Sequence, residues 1–192
     1  MDDHEELINS LHKEGRLTLE DIPELDLYMD QVIQLFENNF AASKRRKDEK
    51  VLTKTMINNY AKGKLFFPVQ NKKYSKEHLI LISMIYQMKG ALSIRDVKNT
   101  LDRINEKITE ESFDIKPLYA SVLKLSRYNK SRMNELIADH ITEVEAEINQ
   151  MEDSDEEYLE KVLLIETFTE MSNLYRKAAE TLVDHLYEQK EE

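Results

Sequence analysis

Lys54, Thr55, Asn58 and Asn59 fall within six residues of one another, with Lys62 and Lys64 just beyond. An asparagine amide carries a donor and an acceptor side by side, the pair that reads adenine in the DNA major groove. Lysine ammoniums and backbone amides suit phosphate oxygens. Asparagine is also a poor helix interior, so two in succession need a reason. A Lys72-Lys73-Tyr74 step follows, and Lys44-Arg45-Arg46-Lys47 precedes. A short helix of this kind with a basic hairpin behind it suits a groove reader with a wing, its first turns toward base edges. In that reading Lys54, Thr55, Asn58 and Asn59 face the groove, while Met56, Ile57 and Tyr60 pack inward. Lys62, Lys64, Lys72 and Lys73 take phosphates. Tyr74 anchors the wing or donates to one phosphate, and Arg45 and Arg46 reach a neighbouring groove or backbone.

The total charge argues the other way. The 192 residues hold 27 basic and 38 acidic side chains, a net charge of −11, which at first speaks against nucleic acid. Resolved along the chain the picture changes. Residues 1–40 carry 2 basic and 11 acidic side chains, residues 41–98 carry 14 and 4, and residues 99–192 carry 11 and 23. The basic block contains the asparagine pair and the lysine step. Charge clustered in this way needs a reason.

Other chemistry is thin. Without cysteine there are no disulfides, thiol catalysis or cysteine–zinc sites. The histidines are scattered without the i, i+3 or i, i+4 partner that makes a metal face. No glycine loop followed by Lys and Ser or Thr cradles a phosphate. The expectation is therefore no enzyme, no cofactor and no metal. The first six residues are acidic where a secretion leader is basic and then apolar. The longest apolar stretch, around 79–82, is too short to cross a bilayer, so a cytoplasmic protein without a membrane partner is expected.

The elements that position these residues follow from period and caps. Three glycines and three prolines disfavour an all-β fold with its many tight turns, and favour helices. A short helix over 1–14 ends at Gly15. Residues 25–40 repeat apolar side chains at three and four, an amphipathic helix. Thr53 caps a helix that runs to Lys62 and ends at Gly63, residues 65–74 read as extended or a small hairpin, and Ser75 caps the next helix to Lys89. Ser93 with Asp96 approximates a capping box for a helix to about Lys107. Two more segments, 117–128 and 131–151, precede an acidic break and a long amphipathic helix over 159–187. A helix that long usually packs along a partner.

Thr53 through Tyr60, then Leu65 and Pro68, then Lys72-Lys73-Tyr74-Ser75 resemble the recognition helix and wing of the MerR-type winged helix-turn-helix regulators. Leu79, Ile82 and Ile85 stand where that family has its next core stripe, and Leu92-Ser93-Ile94 is similar to its following turn. Asn58 stands where those regulators usually carry arginine, and Lys64 where they carry glycine. Residues 23–101 resemble more closely a bacterial family with such a head, domain of unknown function 1836. The shared motifs are Tyr28-Met29-Asp30-Gln31-Val32 and Met56-Ile57-Asn58-Asn59-Tyr60. The resemblance implies a mainly α fold, a MerR-like winged helix-turn-helix followed by a C-terminal helical bundle with a long terminal helix. Three parts are expected: an acidic arm or short helix over 1–22, a DNA-binding domain over 23–108, and a helical dimerisation or effector domain over 109–192. The function expected is a transcriptional regulator that binds double-stranded DNA as a homodimer. The alternative is a helical protein–protein adaptor whose basic patch grips an acidic partner.

Overall fold

A computed structural model describes residues 3–12, 15–151 and 153–188. Within them the chain is mainly helical, with α1 (Asp3–His12), α2 (Met29–Phe40), α3 (Lys54–Lys62), α4 (Lys76–Met88), α5 (Ile94–Glu110), α6 (Lys116–Ile148) and α7 (Glu156–Glu188). Strands β1 (Leu27–Tyr28) and β2 (Lys73–Tyr74) form a small antiparallel sheet, with Leu27 opposite Tyr74 and Tyr28 opposite Lys73. No described helix is long and apolar enough to cross a membrane. Contacts divide the chain into two units, Lys13–Lys124 with Glu180–Glu192, and Met1–His12 with Leu125–Ala179.

The first unit is built around α4, whose Leu79, Ile80, Leu81, Ile82 and Ile85 are all fully buried. A helix apolar on so many sides belongs in the middle of its domain. Against it α2 lays Val32, Phe36 and Phe40, with the two phenylalanine rings stacked at 5.6 Å and Tyr86 4.7 Å from Phe40. The expected helix over 25–40 starts later, at Met29. Residues 27–28 pair with β2 instead, and the Tyr28 N–H donates to Gln31 Oε1 at 2.9 Å, which sets the helix start. β2, the end of the stretch expected to be extended, therefore finds its partner in the residues just before α2.

Caps carry the remaining boundaries. Thr53 Oγ1 accepts from the Met56 N–H at 3.1 Å, and Ser93 Oγ accepts from the Asp96 N–H at 3.2 Å. The core runs wider than residues 23–108. Leu17, Ile22, Ile115, Tyr119 and Leu123 are part of the same cluster, and the Tyr119 hydroxyl reaches the Leu17 carbonyl at 2.5 Å and Ser83 Oγ at 2.8 Å. Gly15 lies against α2 so closely that a Cβ there would sit 1.9 Å from the Asn39 carbonyl oxygen. The expected helix over 1–14 lies partly outside the described residues, and its described part is α1.

In the second unit, Ile137, Ile141, Val144 and Ile148 of α6 pack with Leu164 of α7, and Leu7, Ile8 and Leu11 of α1 cover them. The two segments expected over 117–128 and 131–151 are one helix. Asn129 and Lys130 fall between the expected segments, yet neither is Gly or Pro. The weak propensity of Asn129 alone does not stop a helix that is held on both sides. Pro117 sits in the first turn, where its missing N–H costs nothing.

Candidate nucleic-acid interface

α3 separates its side chains by face. Ile57 and Tyr60 are buried, and burial pushes the Tyr60 phenol up to about 12. Lys54, Thr55, Asn58, Asn59 and Lys62 are all exposed. Lys54 Nζ meets Asp30 of α2 at 2.7 Å, but both groups are well solvated, and such a pair contributes little and is easily given up.

The helix ends by a Schellman motif. The Leu65 N–H donates to the Tyr60 carbonyl at 3.0 Å and the Lys64 N–H to the Ala61 carbonyl at 3.1 Å. The residue in the left-handed conformation that this motif demands is Lys64, at φ 55°, not the neighbouring Gly63. Gly63 is needed for space, because a Cβ there would lie 2.7 Å from Leu65 Cδ1. The arrangement turns Lys64 outward beside Lys62 while Leu65 enters the core. Asn105 of α5 donates to the Leu65 carbonyl at 3.1 Å and fixes the root of the following loop.

That loop closes in a tight turn. The Lys73 N–H donates to the Gln70 carbonyl at 2.9 Å, with Asn71 at φ 50° and Lys72 at φ 59°. Two left-handed central residues make a type I′ turn, the geometry that matches strand twist. Asn71 and Lys72 stand exposed at its tip. Lys73 Nζ lies 5.3 Å from the centroid of the Tyr28 ring. Tyr74 is a different case. It is 3% exposed, edge-on to Phe66 and His78, and burial raises its phenol. It anchors the loop from inside.

His78, which sequence reading passed over, holds this loop to α4. Its Nε2–H donates to the Phe67 carbonyl at 3.1 Å, and its Nδ1 accepts from the Ser75 N–H at 3.1 Å. Burial pushes the imidazole below its ordinary value of 6.5, so the ring is neutral near pH 7, as both bonds require. The sequence signal was there: a residue three after a serine cap can reach back to the cap N–H, as Glu does in a capping box. Asn71 was also missed, and its fitness for left-handed turns was the available clue.

Arg45 and Arg46 are exposed on the connection between α2 and α3. Lys44 pairs with Glu37, whose carboxyl that bond holds below its usual range, and Lys76 pairs with Glu24 at 2.5 Å. These two lysines are committed to the fold. The groups left outward are those of α3, the Gly63-Lys64 corner, the turn tip and the arginine pair.

The second unit gathers a different set. His4 Nε2 lies 2.6 Å from Glu160 Oε1, and Glu145 joins them, with candidate ligand atoms all within 4.8 Å of one another. A cleft of about 740 Å³ adjoins, lined by His4, Leu7, Glu160, Leu164 and Phe168 among others. Solvent reaches all three polar groups, and the short contact already engages the imidazole with one carboxylate. The group clasps α1 onto the two long helices. Sequence spacing could not reveal it, because its members lie on three helices.

A family model described as Domain of unknown function (DUF1836) matches residues 17–122. The match begins and ends almost where the first core does, at Leu17 and Leu123. No curated protein and no solved structure matches the chain.

Proposed function

We propose that this chain, which belongs to the DUF1836 family, is a cytoplasmic, sequence-specific regulator of transcription that binds double-stranded DNA as a homodimer through a MerR-like winged helix-turn-helix head. The observation that carries this reading is the split of α3: Lys54, Thr55, Asn58, Asn59 and Lys62 stand outward while Ile57 and Tyr60 fix the helix from behind. A side chain that reads a base must project from a rigid, capped element, and these do. Asn58 and Asn59 meet base edges. Lys54 and Thr55 enter with them at the first turn. Lys62, Lys64, Lys72 and Lys73 take phosphates beside the groove, and Arg45 and Arg46 extend the contact along the backbone. Tyr74 holds the wing in place. The acidic remainder of the chain repels DNA and confines contact to the head. With two heads in a dimer, half-sites lie about 34–36 Å apart or a multiple of that.

The test is a binding titration against DNA upstream of the chain's own coding region, at several salt concentrations. Six to eight phosphate contacts correspond to a slope of log affinity on log salt of about −5 to −7. Asn59→Ala is expected to cost about 1–3 kcal/mol on the cognate site and little on random sequence. A flat salt response overturns the reading. Equal weakening on both DNAs removes Asn59 from base reading. A silent Asn59→Ala combined with charge-dependent capture of an acidic protein favours an adaptor instead.

A further inference from the structure

α6 is split by charge along its length. Residues 116–133 carry five basic side chains and no acidic one, whereas residues 134–148 carry five acidic side chains and no lysine or arginine. This polarity opposes the helix macrodipole, which favours acids at the first turns and bases at the last. Like charges on neighbouring turns add to the cost.

The pattern is also ordered on one face. Lys124, Tyr128, Arg132, Glu135, Asp139 and Glu143 follow one another at steps of four, four, three, four and four, so they form a single row. All six are exposed, and the row lies opposite the buried stripe of Tyr119, Leu123, Ile137, Ile141 and Val144. It spans about 28 Å at 1.5 Å per residue. Its midpoint falls between Met133 and Asn134, and it is complementary to itself when reversed.

We propose that this row is the surface on which two copies of the chain associate, with the two α6 helices antiparallel. Lys124 then faces Glu143 of the second copy, Tyr128 faces Asp139, and Arg132 faces Glu135, and each pairing occurs twice about a two-fold axis. An isologous contact requires that reciprocity. Tyr128 donates its hydroxyl to the facing carboxylate, and its ring already carries the Arg132 guanidinium at 5.7 Å. Leu125 and Tyr128, each 59% exposed, supply apolar surface for the contact to cover. Duplex DNA does not fit the row, because the acidic half repels phosphate. A second copy satisfies both halves at once and cancels the unfavourable polarity of each helix.

The inference rests on the dimeric part of the reading above, and its test needs no DNA. Sedimentation of the full chain is expected to show a dimer that weakens with added salt. Lys124→Glu with Arg132→Glu turns every ion pair of the contact into a repulsion, as does Glu135→Lys with Glu143→Lys. Each double variant alone is expected to raise the dimer dissociation constant on the order of 100-fold. Mixed in equal amounts, the two restore every complementary pair and are expected to form a heterodimer near parental strength. A misfolded variant could not be rescued by mixing. Failure of the mixture to associate, or undiminished association of either variant alone, overturns the interface. A parent chain that is monomeric overturns it too, yet leaves the head reading standing if DNA binding keeps its steep salt dependence.

Discussion

The two units solve the same problem with different means. Among the described residues, the first packs 22 buried apolar side chains into one cluster, while the core of the second has five. In the first, helices start on side-chain caps, and His78 and the Tyr119 hydroxyl have named partners inside it. Along α3 and the turn that follows, it presents polar and basic side chains outward. The second leaves Tyr158, Ile165 and Tyr175 of α7 and Leu125 and Tyr128 of α6 in solvent. A domain that satisfies its own core is free to present charge to a partner of opposite sign. A pair of long helices with a thin core presents apolar and charge-split faces that suit another helix.

Core truncation probes this contrast with the largest effect. Phe36→Ala should cost about 3–5 kcal/mol, because Phe40, Tyr86 and α4 enclose the ring and cannot collapse into the space. Leu164→Ala in the second unit should cost about 2 kcal/mol or less, since few buried neighbours surround it. Denaturant unfolding of both variants checks this, and equal losses would break the comparison.

His78 comes next. His78→Ala should destabilise the first unit by about 1–3 kcal/mol, by leaving the Phe67 carbonyl and the Ser75 N–H without partners. The pH dependence has a definite sign. The folded imidazole titrates below its ordinary 6.5, so the unfolded chain binds the extra proton. Stability from this group is complete above 6.5 and is lost as pH falls from there through the lowered folded value. Hydrogen exchange should show amides of α3 and α4 losing protection over that window, and His78→Ala should lack this component.

The smallest effect sits at the helix end. Lys64→Gly relieves a left-handed lysine and should stabilise the first unit by about 1 kcal/mol. It also removes an outward cation, so the salt slope for DNA should shrink by about 0.9. Gly63→Ala should destabilise instead, as its Cβ meets Leu65. A Lys64→Gly variant that gains stability with an unchanged slope would separate the fold of this corner from its proposed use.

Much of the first unit was legible because its signals are local. Thr53 and Ser93 cap where they stand, and the apolar period of 29–40 and 79–85 places Phe36 and Ile82 inside. The division of α3 into an outward polar row and an inward Ile57 and Tyr60 also follows from helical period alone. The less legible features depend on residues far apart in the chain. The packing of Tyr74 against Phe66 and His78 is not visible in its local sequence. β2 pairs with residues before α2, and no turn signal links the two. The gap expected at 129–130 is helical because packing on both sides outweighs the weak propensity of Asn129.

By itself the sequence determined the helical class, the caps, the segregation of charge into a basic middle and acidic ends, and the face on which Asn58 and Asn59 lie. Each of these depends on neighbours within one or two turns, where spacing is geometry. Tertiary structure alone decided which lysines are spent on the fold, as Lys44 and Lys76 are, and which stay outward. It also decided that Leu17 and Tyr119 belong to the first core, and that His4, Glu145 and Glu160 meet. Those contacts join residues from seven to 156 positions apart, and burial, which chooses among chemically equal side chains, exists only once the chain has closed on itself.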